Sequence, residues 1–289
     1  MQINIGLCFN DSYSQHAGTL MASILENSSN EDSYKFFIIS EYISNQNIRK
    51  IEKLKSIKDF EYEIMTVNAD MFKNIGFYKK INISAFYRFF LFTIKSVDKI
   101  LYLDSDTIVR HDIRELFETD IEDYYIAGVE DIVGKQLVNI YKLSPTTTYI
   151  NSGVMLLNLK FLREINIGEE VMNLPPDFTI NNFGDQDIIN YMIQDKVLPL
   201  DLKWNVCYPY KTTYSDENYY HQVAKDPAIF HYITDTKPWL PNKYPMYKKD
   251  YFKYLSMTPW FNEFMAQYQI EENTIIMQYL NKIAQKLEI

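Results

Sequence analysis

The segment Lys99-Ile100-Leu101-Tyr102-Leu103-Asp104-Ser105-Asp106-Thr107-Ile108-Val109 constrains this chain more than any other. A short apolar run reads as a buried strand, and here the run ends directly in two carboxylates one residue apart. In a parallel sheet, ligands collect beyond the carboxyl ends of the strands. The i, i+2 spacing would put both carboxylates on one side of an extended segment. Like charges held that close raise each other's pKa unless a cation lies between them. Asp104 and Asp106 are therefore read as a site for a hard metal ion.

The flanking sequence supplies a sheet for that strand. Ile3 to Phe9 reads as a strand ending in the polar turn Asn10-Asp11-Ser12-Tyr13, which can cap a helix. Leu20, Ile24 and Leu25 follow at helical spacing. Tyr34 to Ser40 is a nearly all-apolar strand, as one covered on both faces should be. Ile48, Ile51, Leu54 and Ile57 mark a second helix, and Phe60 to Val67 a third strand. Such alternation means βαβ units and a mostly parallel sheet. Ser84 to Ile94 reads as a helix with Arg88 among Phe86, Tyr87, Phe89, Phe90 and Phe92. Its guanidinium would reach either an ordinary carboxylate at the helix surface or the mouth beside the two aspartates.

Beyond the carboxylate pair, His111 to Phe117 reads as a short helix and Tyr124 to Val129 as a strand ending in Glu130-Asp131. Tyr149 to Asn158 is a polar corner feeding an apolar strand, with Gly153 where backbone or ligand can approach closely. Phe161 to Met172 reads as a helix broken at Pro175-Pro176. Gly184 to Met192 is an acid-rich helix start, for which dipole compensation alone would account. Pro199 to Pro245 reads as loop apart from a strand at Ala228 to Ile233. In the tail from Ile270, Ile276, Tyr279, Leu280, Ile283 and Leu287 share one face of an amphipathic helix.

A chain of 289 residues suits one large α/β domain with a modest appendage, and 47% hydrophobic residues can fill its core. A net charge of −9 speaks against nucleic-acid binding, which needs a basic footprint. Cys8 and Cys207, in no metal-type spacing, read as small buried hydrophobes in a reducing compartment. With no leader or membrane-length apolar run in view, the expected location is the cytoplasm.

The second informative segment is Phe230-His231-Tyr232-Ile233-Thr234-Asp235-Thr236-Lys237-Pro238-Trp239. It offers an imidazole at a strand end and, six residues on, a lysine held by Pro-Trp. His231 is either a core histidine or a third ligand. An imidazole with two carboxylates suits Mn²⁺ better than the all-oxygen preferences of Ca²⁺ and Mg²⁺. Phosphate oxygens would complete such a shell, and Lys237 would add a point charge to them.

Asp104-Ser-Asp106 after Ile-Leu-Tyr-Leu, Asn151-Ser-Gly153-Val-Met-Leu-Leu-Asn158, Gly184-Asp-Gln-Asp187, and His231-Tyr-x4-Lys237-Pro-Trp occur in this order. The series, across residues 3 to 265, resembles glycosyltransferase family 8, which includes bacterial lipopolysaccharide galactosyl- and glucosyltransferases and the glycogenins. The resemblance implies a GT-A fold: a Rossmann-like nucleotide-diphospho-sugar transferase with a mostly parallel central sheet. A catalytic domain at 1–265 would hold a nucleotide-sugar half at about 1–110 and an acceptor half at about 111–265, with the amphipathic helix at 266–289 as appendage.

The resemblance further implies retaining transfer of galactose or glucose from UDP-galactose or UDP-glucose to a saccharide or glycolipid acceptor, in cell-surface lipopolysaccharide or glycan biosynthesis. Mn²⁺, with Mg²⁺ as the alternative, would be held by Asp104, Asp106 and His231, and Lys237 would grip the diphosphate. The turn from Cys8 through Asn10 and Asp11 to Tyr13 would hold the uridine. Arg88, Asn151 and Asp185 would bond the sugar hydroxyls, with Asp131 nearby. Ser105, Ser152 and Thr234 lie inside the same motifs and join the donor-contacting set. Gln186 would sit near the anomeric carbon, with Asp187 as the fallback nucleophile.

The chain departs from the family pattern in three places. Cys8-Phe9-Asn10 stands where close relatives carry Ala-Ala-Asp, so either Asn10 or Asp11 would read the base. Thr234 stands where a glycine is common. The tail from Glu271 lacks the strongly basic character that draws related enzymes to anionic lipid; Lys243 to Lys253 is the alternative surface for at most peripheral contact with the inner membrane face. Two rival readings are a haloacid-dehalogenase-like phosphatase, suggested by Asp-x-Asp-Thr, and a non-catalytic UDP-sugar-binding protein.

Overall fold

The structure, a computed structural model, describes residues 1–68, 83–131, 134–172, 184–207 and 217–286. The expected break at Pro175-Pro176 and the residue Leu287 lie outside the described residues, as do the side chains of Ile276, Tyr279, Leu280 and Ile283.

A seven-stranded sheet forms the centre. Its strands are β1 (Gln2–Cys8), β2 (Ser33–Ser40), β3 (Glu61–Thr66), β4 (Lys99–Leu103), β6 (Ile126–Glu130), β7 (Ile150–Asn158) and β8 (Val197–Pro199), in the order β3-β2-β1-β4-β7-β6-β8. From β3 to β4 every neighbour is parallel, whereas β7 runs antiparallel to both β4 and β6. A second, three-stranded sheet joins β5 (Thr107–Val109), β10 (Ile229–His231) and β9 (Val206–Cys207).

Strand alternation divides the core into two layers. Phe36, Ile38, Leu101, Leu103, Val154 and Leu156 face α1 (Ser14–Glu26) and α9 (Lys248–Leu255). Their immediate neighbours Phe37, Ile39, Ile100, Tyr102, Met155 and Leu157 face the opposite layer. That layer holds the 3-10 helix Ile83–Thr93, α5 (Leu159–Glu164), α6 (Ile167–Met172) and α7 (Asp185–Ile193). With both faces covered, the central parts of β2 and β4 are apolar, from Phe36 to Ile39 and from Ile100 to Leu103.

Several local expectations change. The aromatic segment at 84–94 winds as a 3-10 rather than an α-helix. The helix expected over 161–172 is two helices, separated at Asn166, whose φ of 53° no α-helix accepts. The supposed loop from Pro199 contains β9 and α8 (Glu217–Val223) besides β10. The tail helix α10 spans Phe261–Lys286 and so begins well before Ile270. Its entry is pinned by Trp260, which rests on Gly18 of α1 and donates its indole N–H to Asn47 at 2.9 Å.

Candidate functional site

The carboxylate pair lies at the carboxyl end of β4, beside that of β1. Asp104-Ser105-Asp106 is a turn, not the extended segment expected: the Thr107 amide donates back to the Asp104 carbonyl at 3.1 Å. The reversal lets β5 leave the main sheet and pair with β10, so Thr107 lies opposite His231. The Tyr232 amide donates to the Asp106 carbonyl at 3.0 Å and closes this junction. The two carboxylates thus converge because the chain turns, and the same turn brings the histidine to them.

Asp104, Asp106 and His231 place one ligand atom each within 4.8 Å of one another. His231 Nε2 is 3.1 Å from Asp106 and 3.7 Å from Asp104. Gly153 makes the convergence feasible. A Cβ on it would lie 2.1 Å from His231 Cε1 and 2.9 Å from Asp104 Oδ2. The close approach expected at Gly153 is therefore that of the imidazole and carboxylate themselves. Two oxygens and one imidazole nitrogen, in a pocket only a glycine leaves open, could coordinate a divalent metal ion.

Protein cations already neutralise this pair. Lys237 Nζ sits 2.6 Å from Asp106 Oδ2 and also donates to the Tyr232 carbonyl. Burial alone would raise the Asp106 carboxyl, but His231 and Lys237 outweigh it and hold it below the usual carboxylate range. On the other side, Arg88 reaches Asp104 at 2.9 Å, Asp185 at 2.9 Å and the Ser152 carbonyl and hydroxyl at 2.9 Å. Of the two readings of Arg88, the buried one beside the aspartates is the one observed. Burial raises the Asp185 carboxyl to about 6 despite Arg88, with the charge of Asp104 adding to the rise.

A cleft of about 200 Å³ opens in front, lined by Cys8, Asn10, Tyr13, Ala85, Arg88 and the Asp104–Asp106 turn, among others. Ser105 Oγ is buried on its wall with no hydrogen-bond partner. Asp11 is not on that wall: Ser44 N and Asn47 Nδ2 take its carboxylate at the start of α2 (Asn45–Lys53). Asn10 is, with its Oδ1 accepting from Tyr13 N and the Ser12 hydroxyl. Thr234 lies half-buried in the loop after β10, where its hydroxyl accepts from Thr236 N at 3.1 Å.

Deeper in, α7 lies against the start of β7, fastened by Asn190, which bonds both the amide and the carbonyl of Ile150. This docks Gln186 on Asn151, Ser152 and Asp131, with bonds of 3.1 Å each. Asp187 is fully buried and accepts from the Tyr149 hydroxyl. It presents no atom to the cleft, so the fallback nucleophile is not where a sugar could meet it. Sequence reasoning missed Tyr102, whose hydroxyl donates to Asp104; two residues upstream on the same strand face, it was open to the alternation argument. It also missed His16, buried and stacked on Trp239 at 3.8 Å between ring centroids, for which no pattern offered a signal.

A family model, "Glycosyl transferase family 8", matches residues 4–243. The chain belongs to this family. It is a glycosyltransferase of the α/β GT-A type, acting on sugar-nucleotide donors, and the phosphatase alternative falls. The chain is similar to General stress protein A of Bacillus subtilis, with 29% identity over 89% of this chain and 94% of that protein. It is 28% identical to a lipopolysaccharide 1,2-glucosyltransferase of Escherichia coli, over 90% of this chain and 79% of the other. Among solved structures, galactosyltransferase LgtC in complex with donor and acceptor sugar analogs superposes with a TM-score of 0.74 at 22% identity, covering 89% and 96% of the two chains. The bifunctional glycosyltransferase WbbM gives 0.77 at 23% identity, and this chain spans about half of it, 51%. At such identities these structures speak for the fold. Among the described residues no helix is long and apolar enough to cross a membrane.

Proposed function

We propose that this family 8 enzyme transfers galactose or glucose from a UDP-sugar to a saccharide acceptor with retention of anomeric configuration. The observation that carries the reading is the meeting of Asp104, Asp106 and His231 beside Lys237 at the mouth of the cleft. Mn²⁺ held by those three residues would neutralise charge developing on the departing diphosphate. Lys237, resting on Asp106 at 2.6 Å, would add a charge-assisted hydrogen bond to a diphosphate bound there. The unpartnered Ser105 hydroxyl on the cleft wall offers a further polar contact for the nucleotide. Asn10, whose carboxamide is on the cleft while Asp11 is occupied elsewhere, is the residue we assign to the base. We assign a nucleotide-sugar half at about 1–110 and an acceptor half at about 111–265, with His231 and Lys237 of the second half reaching back to the donor.

Arg88, Asn151, Asp131 and Asp185 form the polar wall on which donor hydroxyls would be fixed, and fixing them supplies orientation. A double displacement needs a carboxylate beneath the sugar. Gln186 is an amide and Asp187 is buried, so we favour attack from the face the diphosphate leaves. The acceptor oxygen bonds to the anomeric carbon as the carbon–phosphate-oxygen bond breaks, and the hydroxyl proton passes to the departing phosphate. We place the reaction in the synthesis of lipopolysaccharide or another surface glycan at the cytoplasmic side. The similarity to a lipopolysaccharide glucosyltransferase supports this.

A panel of UDP-sugars with Mn²⁺, scored by release of UDP, tests the donor class; no release from any member overturns it. Asp106→Ala is expected to fold and to lose transfer. Full activity of that variant with added Mn²⁺ would remove the metal assignment.

A further inference from the structure

We infer that Asn205 is the positioning residue that sets the tautomer of His231, and so aims its Nε2 at the metal. This rests on the assignment of His231 as a ligand. Asn205 is 1% exposed and lies just before β9, which runs parallel to β10 with Cys207 opposite His231. Its amide spans two groups: Nδ2 to Asn151 Oδ1 at 2.8 Å, and Oδ1 to His231 Nδ1 at 3.1 Å.

Carboxamide orientations are inferred from hydrogen-bond networks, and here the network leaves one solution. The Gly153 amide, a donor only, lies 3.0 Å from one end of the Asn151 carboxamide, which must therefore be the oxygen. The other end lies 3.3 Å from Asp131 Oδ2, an acceptor when ionised, and must be the NH₂. Gln186 agrees: its oxygen takes the Ser152 amide at 3.1 Å and its nitrogen gives to the same Asp131 oxygen at 3.1 Å. With Asn151 Oδ1 thus oriented toward Asn205, the Asn205 atom facing it must be a donor, Nδ2. The atom facing His231 is then a carbonyl oxygen, which can only accept.

His231 Nδ1 must accordingly carry a proton, so Nε2 is the ring nitrogen left to ligate once a metal takes the place of any proton shared with Asp106. Nε2 is the atom that lies 3.1 Å from Asp106 and 3.7 Å from Asp104. The polarity set by two backbone amides and one carboxylate is passed through Asn151 and Asn205 to the ring. Residues outside a metal's own shell commonly tune it this way, and their loss costs about ten- to hundredfold in metal affinity. Asn205 also ties the ligand to Asn151 and Gln186, on the wall proposed for the sugar.

The test combines ring-nitrogen NMR with Mn²⁺ titration. In the wild-type protein without metal, long-range ¹H–¹⁵N spectra, assigned with His231→Gln, should show His231 protonated at Nδ1. Asn205→Asp keeps an acceptor for that proton, at the expense of the bond to Asn151. It should preserve the tautomer and hold the Mn²⁺ dissociation constant within about threefold. Asn205→Leu, of similar size, should lose the Nδ1–H preference and weaken Mn²⁺ about ten- to hundredfold. A wild-type ring that carries no proton on Nδ1, or unaltered Nδ1 protonation and Mn²⁺ affinity in Asn205→Leu, overturns the inference. If Asn205→Leu does not fold, the wild-type tautomer and Asn205→Asp decide. Wild-type protein that binds no Mn²⁺, or a His231→Gln variant that binds it undiminished, would instead overturn the ligand assignment, and the tautomer measurement would still judge Asn205.

Discussion

Gly153→Ala isolates the geometry of the metal pocket from its chemistry, because it removes no ligand. The added Cβ would sit 2.1 Å from His231 Cε1, 2.7 Å from Nδ1 and 2.9 Å from Asp104 Oδ2, where ordinary contact begins near 3.4 Å. The imidazole would have to retreat by more than about 1 Å. It is 3% exposed and held by Asn205 and by its place opposite Thr107, so the retreat strains both. Such overpacking typically costs about 1–3 kcal/mol of stability. Displacement of one ligand by that distance should weaken Mn²⁺ at least as much as losing a residue that supports a ligand, about ten- to hundredfold. Titration of Mn²⁺ followed by electron paramagnetic resonance reads the affinity, and urea unfolding reads the stability. A folded Gly153→Ala protein that binds Mn²⁺ within about threefold of wild type would refute the reasoning.

Lys237→Met should separate two roles of one side chain. Without nucleotide, Mn²⁺ should bind about three- to tenfold more tightly, since a cation competing for Asp106 is gone. UDP in the presence of Mn²⁺ should bind about ten- to hundredfold more weakly, the value of a lost charge-assisted bond; calorimetry that finds both affinities moving together would refute this. For pH, burial lowers His16 from 6.5 to about 3, so between those values the unfolded chain binds the extra proton. Stability from this group is complete above about pH 7.5 and falls by about 1.4 kcal/mol on going to pH 5.5. Asp185, raised to about 6 from 3.8, acts oppositely by gaining stability as pH falls through 6. The comparison is therefore between wild type and His16→Gln: the variant's urea-derived stability should be flatter by that amount, and parallel profiles would refute the assignment. Gly18→Ala places a Cβ 2.4 Å from the Trp260 ring. Even with the helix-propensity gain of about 1 kcal/mol, it should destabilise by about 1–2 kcal/mol; an unchanged urea midpoint would count against the Trp260 anchor.

What the sequence settled by itself was local and periodic. The apolar strands, their alternation with helices, and two carboxylates at the end of β4 all follow from side-chain patterns a few residues long. Those patterns survive because the sheet buries both faces and tolerates little else there. Asp104, Asp106, His231 and Lys237 could be named for the same reason: each is a chemically distinctive residue at a strand end or beside a Pro-Trp. Tertiary structure decided how they meet. The aspartates converge through a turn, because β5 leaves to pair with β10, and His231 arrives from 125 residues away through that pairing. No local pattern specifies such a partner, since pairing energy is collected only after the loop has closed. The same holds for the buried polar residues. Asp187 and Asp11 look as available in sequence as Asp104, and only packing shows one against Tyr149 and the other on the α2 start. Asn205, with nothing around it to mark it, acquires its place only once β9 and β10 lie side by side. The carboxylate pair at the end of β4 is legible in the sequence; the hydrogen-bond partner of His231 Nδ1 is not, because it depends on Asn151 and Asn205, brought together from segments far apart in the chain.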